Sequence, residues 1–433
     1  MDFVANGFYL SIAIFILTYL GIMSEKIPRS LCALIGGGLV IYTGLVDQET
    51  AIKEFIDFNT LGLLTGMMIL IGVVKKSGFF EAMAMWAVKI SKGRPKELLM
   101  ILGLITGFCA SFMDAVTAVL LITPMTISLC RRIKVSPIPT LIAEILLSNI
   151  GGSGTMVGDP PNVMIGSATH LVFNDFAMNT GPAALICVAA CLLYLEIIYG
   201  KQLPKTQMSE EELSHINLGA VIQDYMILRR SVAILVLTIV GFIVHNLLGI
   251  QSATIALTGG FLAILVCGVD THDILREVDW DSLFFFIGLF VVVGGLETTG
   301  VIAALAKAGI DAVGGDPHAL TFTILWLSGL ASAFVDNIPF TATMIPLIHD
   351  MQELLGLQHA DYMWWALSIG ACYGGNGTII GASPNVIVAA IAAKEGFNIT
   401  FGHFMLKCFP MMLVTLLICS VYIYVRYFML GGA

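Results

Sequence analysis

The sequence contains two copies of one pattern, and this repeat restricts the folds open to the chain. The first block occurs at 107–127 (GFCASFMDAVTAVLLITPMTI) and 329–348 (GLASAFVDNIPFTATMIPLI), and the second at 151–162 (GGSGTMVGDPPN) and 374–385 (GGNGTIIGASPN). Asp114 and Asp336 are 222 positions apart, and Thr155 and Thr378 are 223 apart. Two blocks in one order at one spacing indicate a duplication, so we expect both halves to share one fold.

The composition is typical of a membrane protein. The 433 residues are 58% hydrophobic and 12% charged, with a mean hydropathy of +0.92, whereas soluble domains are about 25% charged. Apolar runs such as Pro182–Tyr199 and Ser231–Leu248 approach the roughly 20 residues that span a bilayer. The first apolar run has no basic leader or cleavage site, so we expect a retained helix. We predict an all-α polytopic membrane protein in a lipid bilayer.

The motifs argue against several classes of protein. No G-x-x-x-x-G-K-[ST] motif occurs, which argues against ATP hydrolysis within the chain. The nine cysteines lie mostly in apolar segments and never form Cys-x-x-Cys, so we expect neither a zinc site nor a disulfide framework. Without a nucleophile–base pair or a metal-ligand cluster in the sequence, we expect no enzyme activity, no cofactor and no nucleic-acid partner.

Each half predicts three spanning helices, a re-entrant hairpin, a broken helix and a final spanning helix. The first half, residues 1–199, has predicted spans at 8–23, 30–46, 59–74 and 181–199, a hairpin at 98–130 and a broken helix at 138–173. The second half, residues 231–433, has predicted spans at 231–248, 253–268, 282–296 and 403–426, a hairpin at 319–348 and a broken helix at 362–393. Residues 200–230 are predicted to form a cytoplasmic linker.

The distribution of basic residues predicts that the two halves have opposite orientations. Five full crossings per half, counting the broken helix, are an odd number, so the second half would enter from the opposite face. With the N-terminus outside, 18 of the 21 Lys and Arg residues fall inside, and three fall outside: Lys53, Lys307 and Arg426. This agrees with the positive-inside bias. Inverted repeats with a site at the membrane midplane are typical of secondary transporters, so we predict a multi-pass protein of the cytoplasmic membrane.

Glycine and proline cluster where a helix would cross the membrane, at GGSGTMVGDPPN and GGNGTIIGASPN. Because these residues interrupt helices, and unwound backbone at membrane depth is tolerated where it lines a polar cavity, each cluster predicts part of a binding site. The candidate ligands of the first break are Asn149, Gly152, Ser153, Thr155, Asp159 and Asn162, and those of the second are Gly375, Asn376, Thr378, Ser383 and Asn385.

Acidic side chains at membrane depth are the candidate ion carriers, because an ionised carboxylate there costs several kcal/mol and normally marks an ion path. Asp114, followed by Thr117, and Asp336, followed by Asn337, occupy the hairpin tips. The proton-coupling candidates are Asp114, Glu144, Asp159 and Asp336. We expect no basic residue at these sites that would clamp an anion. An acidic site of this kind favours a cation, a proton with a neutral substrate, or a carboxylate that enters with cations.

Four segments resemble the ion transporter superfamily: 112–117, 149–162, 334–339 and 374–385. The similar branch holds arsenite-efflux permeases, D-type sodium–proton antiporters and the melanosomal P protein, and divalent anion–sodium symporters are more distant relatives. The resemblance implies a scaffold built from the first three helices of each half and a transport domain that moves as an elevator, often in a homodimer. It also implies two half-sites: Asp114, Thr117, Asn149, Thr155, Asp159 and Asn162, and Asp336, Asn337, Asn376, Thr378, Ser383 and Asn385.

One departure from the family pattern bears on the coupling ion. The family usually has Asn after the first hairpin Asp, and here Ala115 follows, which favours a proton at Asp114. Our leading hypothesis is a proton-coupled secondary transporter that extrudes arsenite or antimonite, for which the resemblance implies a separate ATPase subunit as a partner. The alternatives are a sodium–proton antiporter, a Na⁺- or H⁺-coupled carboxylate carrier, and, ranked last, an anion channel. Ligation of a metalloid by Cys109 or Cys372 is a further open alternative.

Overall fold

The computed structural model describes residues 2–24, 26–205, 207–209, 211, 213, 218–357 and 360–431, with backbone alone for residues 2–6. Within these residues the chain forms eighteen helices of nine or more residues and no strand. The first half contains α1 (Asp2–Met23), α2 (Arg29–Tyr42), α3 (Phe58–Lys75), α4 (Phe79–Ser91), α5 (Pro95–Ala110), α6 (Ala115–Arg132), α7 (Ile138–Gly152), α8 (Pro160–Ala168) and α9 (Gly181–Tyr199). The second contains α10 (Tyr225–Leu248), α11 (Ser252–Cys267), α12 (Trp280–Thr298), α13 (Val301–Ala312), α14 (Pro317–Ser332), α15 (Asn337–Leu355), α16 (Tyr362–Gly374), α17 (Ser383–Lys394) and α18 (Phe401–Ile423).

Repeated capping residues start equivalent helices in the two halves. Asp57 accepts hydrogen bonds from the first backbone N–H groups of α3, and Asp279 does the same for α12. Such side chains satisfy donors that the first helical turn leaves unpaired. Gly78 and Gly300 precede α4 and α13 with φ of +82° and +78°, a left-handed conformation that favours glycine. Each helix of the first half thus has its counterpart nine helices later.

The hairpins and broken helices form close to their predicted positions. Helices α5 and α6 make the first hairpin, and α14 and α15 make the second. The first broken helix is α7 and α8, interrupted at 153–159, and the second is α16 and α17, interrupted at 375–382. Several predicted boundaries were wrong, among them the end of the second hairpin, where α15 continues to Leu355 instead of 348. Helix α10 begins at Tyr225 instead of 231 because Asp224 caps it, and α2 ends at Tyr42, before the left-handed Gly44.

The two halves contact each other in exchanged pairs. Helix α2 packs on α12 and α3 packs on α11, while α6 packs on α17 and α15 packs on α8. Replacing every helix by its counterpart in the other half turns the α2–α12 contact into the α11–α3 contact, and the α6–α17 contact into the α15–α8 contact. This is the relation that a pseudo-two-fold axis produces. Within each half, the first hairpin arm crosses the first segment of the broken helix, α5 on α7 and α14 on α16.

The helices are long and apolar enough for a polytopic membrane protein, which confirms the predicted fold class. In the described part of the chain six helices meet both criteria: α3, α6, α9, α10, α12, and α18 with its continuation to Met429. Shorter apolar helices accompany them, among them Gly7–Met23, α2, α7, α11 and α17. The opposite orientation of the two halves stays a prediction.

Candidate functional site

Each break is tied to the hairpin turn of its own half. The Thr155 hydroxyl donates a hydrogen bond to the Ser111 carbonyl over 2.5 Å. Its counterpart, the Thr378 hydroxyl, donates to the carbonyl of Ala333. Both carbonyls belong to hairpin turns, where the helical hydrogen-bond ladder ends. The two predicted threonines therefore fix the relative positions of the turn and the break.

Two asparagines satisfy the backbone that the breaks leave unpaired. The Asn162 amide donates to the carbonyls of Ser153 and Thr155 over 3.1 and 2.8 Å. The Asn385 amide donates to those of Gly375 and Thr378 over 2.7 and 2.9 Å. A buried carbonyl without a partner costs free energy. Both predicted asparagines thus hold their own loops in shape.

A buried amide cluster joins the two halves. The Asn149 amide donates to the side-chain oxygens of Asn376 and Asn385, over 2.9 and 3.0 Å. The Ser368 hydroxyl donates to the Asn162 side-chain oxygen over 2.6 Å, and the Cys372 sulfur lies 3.8 Å from that oxygen. The structure therefore brings the two predicted half-sites together. Ser368 was missed because the second break begins seven residues after it.

The two glycines predicted as ligands close the breaks tightly. A Cβ at Gly152 would lie 2.7 Å from the Gly158 carbonyl oxygen, and a Cβ at Gly375 would lie 2.8 Å from the Cβ of Ala382. The backbone at the start of each break and the backbone at its end therefore approach each other closely at these positions. The Ser153 hydroxyl lies within hydrogen-bonding distance of the Tyr373 hydroxyl, at 3.0 Å.

Asp114 and Asp159 each bury a carboxylate oxygen that has no hydrogen-bond partner among the described residues. The other oxygen of Asp114, which begins α6, accepts from the backbone N–H and hydroxyl of Thr117 over 3.2 and 3.4 Å. The other oxygen of Asp159, which begins α8, lies 3.4 Å from the Asn337 amide. The charge of Asp159 interacts with those of Asp114 and Asp336. Because an unpaired buried carboxylate is costly, these oxygens are suited to hold a proton or a small cation.

The second break has no carboxylate equivalent to Asp159. Ala382 is the equivalent residue, with φ and ψ of −151° and 145° against −143° and 135° for Asp159. Asp336 compensates in part: it begins α15, and its two oxygens accept from the Ile338 N–H at 3.0 Å and the Ser383 hydroxyl at 2.9 Å. The acids of the site are therefore distributed asymmetrically over the two halves.

Arg29 reaches this site, and the prediction that no basic residue would lie there was wrong. Its guanidinium donates to the Ser383 hydroxyl over 2.5 Å and lies 3.7 Å from the Asp336 carboxylate. It also donates to the Ser282 hydroxyl over 2.8 Å. Arg29 is one of the 18 basic residues that were predicted to fall inside. Two signals point to it: a cation at the start of a helix opposes the helix dipole, and its counterpart at the start of α11, Ser252, is uncharged.

A cavity of about 630 Å³ opens beside Asp336 on the side where α1 ends and α12 begins. Its charged and polar lining consists of Lys26, Arg29, Asp281, Asp336 and Ser383. Helices α15 and α17 both begin at this cavity, and helix N-termini attract anions.

Asp114, in contrast, lies against apolar side chains of α3. The space beside it measures only about 10 Å³, and Leu63, Leu64 and Met67 are among the residues that line it. The Asp336 side chain is 19% exposed. Access to the two equivalent acids therefore differs, and the site is open on one side.

Glu144 lies apart from the other proton-coupling candidates. It is fully buried on α7, where it accepts hydrogen bonds from the hydroxyls of Thr126 and, over 3.5 Å, Thr123 on α6. Cys109 also lies elsewhere, in an apolar cluster with Met113 and Phe80. The structure therefore brings Asp114, Asp159 and Asp336 together, without Glu144 and Cys109.

The chain is similar over most of its length to membrane transporters. Residues 19–370 match the family model described as citrate transporter, CitMHS. The chain is 36% identical over 424 residues to an uncharacterized transporter of Mycobacterium tuberculosis, with 97% of this chain and 99% of that protein covered. It is 34% identical over 498 residues to the P protein of Homo sapiens, with 95% and 59% covered.

Two solved structures share the fold. The YdaH transporter of Alcanivorax borkumensis has a TM-score of 0.62 at 15% identity, with 93% of this chain and 97% of that chain covered. MtrF of Neisseria gonorrhoeae, described as illuminating a class of antimetabolite efflux pumps, has a TM-score of 0.57 at 12% identity, with 98% and 96% covered. At these identities the likeness concerns the fold alone.

Proposed function

Because this chain belongs to the citrate transporter family, it is a secondary transporter, and we propose that it carries a small carboxylate together with H⁺ or Na⁺. The resemblance to the ion transporter superfamily, including its P-protein branch, is confirmed by the same matches. The single observation that carries the proposal is the cavity that combines Arg29 and Lys26 with the starts of α15 and α17.

The cavity suits an anion of modest size. Arg29 uses two of its five N–H donors on Ser383 and Ser282, which leaves others for a carboxylate, the group whose geometry matches a guanidinium. The Lys26 side chain lines the same space. The N–H groups at the starts of α15 and α17 add partial positive charge on the opposite wall.

Coupling cations would bind at the three acids of the site: Asp336 at the cavity, and Asp114 and Asp159 deeper in the protein. Asp114 and Asp159 each offer an oxygen without a partner among the described residues. A cation there would lower the cost of bringing an anion next to three acidic side chains, and the anion would favour the cation in return. Such reciprocal binding is the basis of coupling between two solutes.

The transport step that we propose is an elevator movement. We call α1–α3 and α10–α12 the scaffold helices, and α5–α8 and α14–α17 the carrier group. Much of their contact is apolar, as where Leu63 and Met67 of α3 lie beside Asp114. Among the described residues, the polar bonds across the boundary include those of Arg29 to Ser383 and Asp336, the Tyr19 hydroxyl to the Pro339 carbonyl at 2.5 Å and the Asn59 amide to the Ser167 hydroxyl at 3.0 Å. The apolar part of the boundary opposes sliding only weakly.

Flux into proteoliposomes with an internal pH dye tests the proposal. Citrate, arsenite or Na⁺ is added against an imposed pH gradient, and we expect saturable movement of protons with citrate, or of citrate driven by Na⁺. Proton movement with arsenite alone would favour metalloid efflux. That function stays a prediction, because the hydroxyl and amide groups that line the breaks are suited to a neutral metalloid species. Exchange of Na⁺ for H⁺ without citrate would favour an antiporter, and a current that does not saturate would favour a channel.

A further inference from the structure

Arg29 connects the scaffold helices to the carrier group at the cavity. Arg29 is the first residue of α2, and its guanidinium is held on the scaffold side by the Ser282 hydroxyl and by the face of Phe285, 5.2 Å from the ring centre. On the other side it contacts Ser383 and Asp336, which belong to the second break and the second hairpin. A movement of the carrier group would therefore leave Arg29 behind.

Asp336 faces several other charged or titratable groups. Lys26 and Asp281 line the same cavity, the Asp159 carboxylate is close enough to interact electrostatically with Asp336, and the neutral phenol of Tyr19 also lies near it. Among the described residues, Arg29 is the one basic side chain within 4 Å of the Asp336 carboxylate, at 3.7 Å. No ion pair to the equivalent Asp114 occurs within the described part of the chain.

We propose that Arg29 is a stationary counter-charge for Asp336, so that the carrier group leaves this side only after a coupling cation has neutralised the carboxylate. The inference rests on the proposed function, because it requires a carrier group that moves and a cation that is carried. Arg29 acts on the coupling through Asp336 and need not touch the substrate.

The physical reason is the cost of separating opposite charges. While Asp336 is ionised, Arg29 and the Ser383 hydroxyl stabilise it at the cavity. Movement would place the carboxylate in the membrane without Arg29, which is unfavourable for an unpaired charge. A proton or Na⁺ on Asp336 removes this penalty and weakens the contact with Arg29. Arg29 and the cation therefore compete for one carboxylate, and the empty, charged carrier is held on this side.

Labelling of a thiol in the cavity tests the competition without measuring transport. Val386 lines the cavity on α17, and the nine native cysteines are buried, so a Val386→Cys variant gives a specific signal. The reactive thiolate fraction falls with pH at any cysteine, so the labelling rate is divided by that of an exposed Lys53→Cys reference at the same pH. We expect this relative labelling by a hydrophilic thiol reagent to fall as the pH is lowered, or as Na⁺ is added at constant pH, because a neutralised carrier group leaves the open side.

Three further substitutions in this background identify the role of Arg29. The midpoint is the H⁺ or Na⁺ concentration at which the relative labelling of the Val386→Cys protein has fallen by half. Without the positive charge, Asp336 binds a cation more tightly, so we expect Arg29→Gln to move this midpoint to about tenfold lower H⁺ or Na⁺ concentration, roughly one unit higher in pH. Arg29→Lys keeps the charge and should restore the midpoint. Lys53→Gln removes an exposed cation that pairs with Glu49 and does not line the cavity, and it should leave the midpoint within about a factor of two.

The opposite results would overturn the proposal. An Arg29→Gln variant whose labelling rate changes by one factor at every pH, with the midpoint unmoved, would give Arg29 a structural role. Labelling of the Val386→Cys protein that responds to neither pH nor Na⁺ would also reject the counter-charge. A third outcome separates the two proposals. If the labelling midpoint shifts as expected but no citrate flux is found, the proposed substrate is rejected and the role of Arg29 is kept.

Discussion

The residues of the site divide into those that hold its shape and those that present charge. Four side chains donate hydrogen bonds to backbone carbonyls of the breaks and turns: Asn162, Asn385, Thr155 and Thr378. Among the described residues, Asp114 and Asp159 each keep a carboxylate oxygen without a hydrogen-bond partner, and Asp336 contacts Arg29. The sequence motifs predicted all of these positions except that of Arg29, but they did not separate the two roles, because a polar side chain near a break has the same pattern in either case.

Asp336 is predicted to be essential for coupling. We expect Asp336→Asn to abolish citrate flux driven by a cation gradient, because an amide binds no proton and makes no ion pair with Arg29. The protein should remain folded, since the amide oxygen still accepts the Ile338 N–H bond. The measurement is flux in proteoliposomes beside elution from a size-exclusion column. Asp273→Asn, at a surface ion pair with Lys76, is the control, and equal flux in both variants would remove Asp336 from the mechanism.

Asn385 is predicted to matter for stability. Asn385→Asp replaces a donor to two carbonyls with a carboxylate, and each buried group left unpaired costs about 1–3 kcal/mol. We expect a clear fall in the melting temperature in detergent. Asn246→Asp, at an exposed position near the end of α10, should melt like the unchanged protein. Equal melting temperatures for both variants would contradict the role assigned to the Asn385 amide.

At the scale of elements, the sequence predicted the hairpins and the breaks well because their causes are local. Proline and glycine interrupt helices wherever they occur, and aspartates such as Asp57 and Asp279 cap helices through neighbouring N–H groups. The position of Arg29 was not predictable in this way. Its partners, Ser282, Asp336 and Ser383, are more than 250 positions away in the chain, and pairing over that distance depends on the packing of α2 against α12.

The crossing of α14 and α16 is predicted to tolerate no added side chain. A Cβ at Gly374 would lie 2.4 Å from the Gly329 carbonyl oxygen, and overpacking of this kind costs about 1–3 kcal/mol. We expect Gly374→Ala to lower both the melting temperature and the flux. Gly38 on α2 has no atom within 4 Å of its would-be Cβ, so Gly38→Ala should be neutral or slightly stabilising. A Gly374→Ala protein as stable as that control would show that the helices can separate.

At the scale of the whole molecule, the repeat predicted the equivalence of the halves but not the difference between them. Both halves carry the same motifs, so their sequences imply one symmetric site. The structure opens the cavity at Asp336 and covers Asp114 with α3. The elevator movement that we propose would exchange the environments of the two acids.

The distribution of basic residues predicts the orientation of the first half, with the N-terminus outside. Lys53, 70% exposed in its side chain, is expected outside, and Arg132, at the end of α6, is expected inside. A membrane-impermeant thiol reagent applied to intact cells should label the Lys53→Cys protein, whereas the Arg132→Cys protein should be labelled only after permeabilisation. Because the native cysteines are buried, the background should be low. Labelling of both variants in intact cells would refute the predicted orientation.

The amide clamps of Asn162 and Asn385 have a consequence for affinity. A loop outside regular secondary structure usually pays conformational entropy when a ligand immobilises it. Here each loop is already fastened to itself and to its hairpin turn, so little ordering remains to be done at the moment of capture. The pocket is preorganised, and more of the interaction energy of an incoming ion is available for discriminating between ions of different radius.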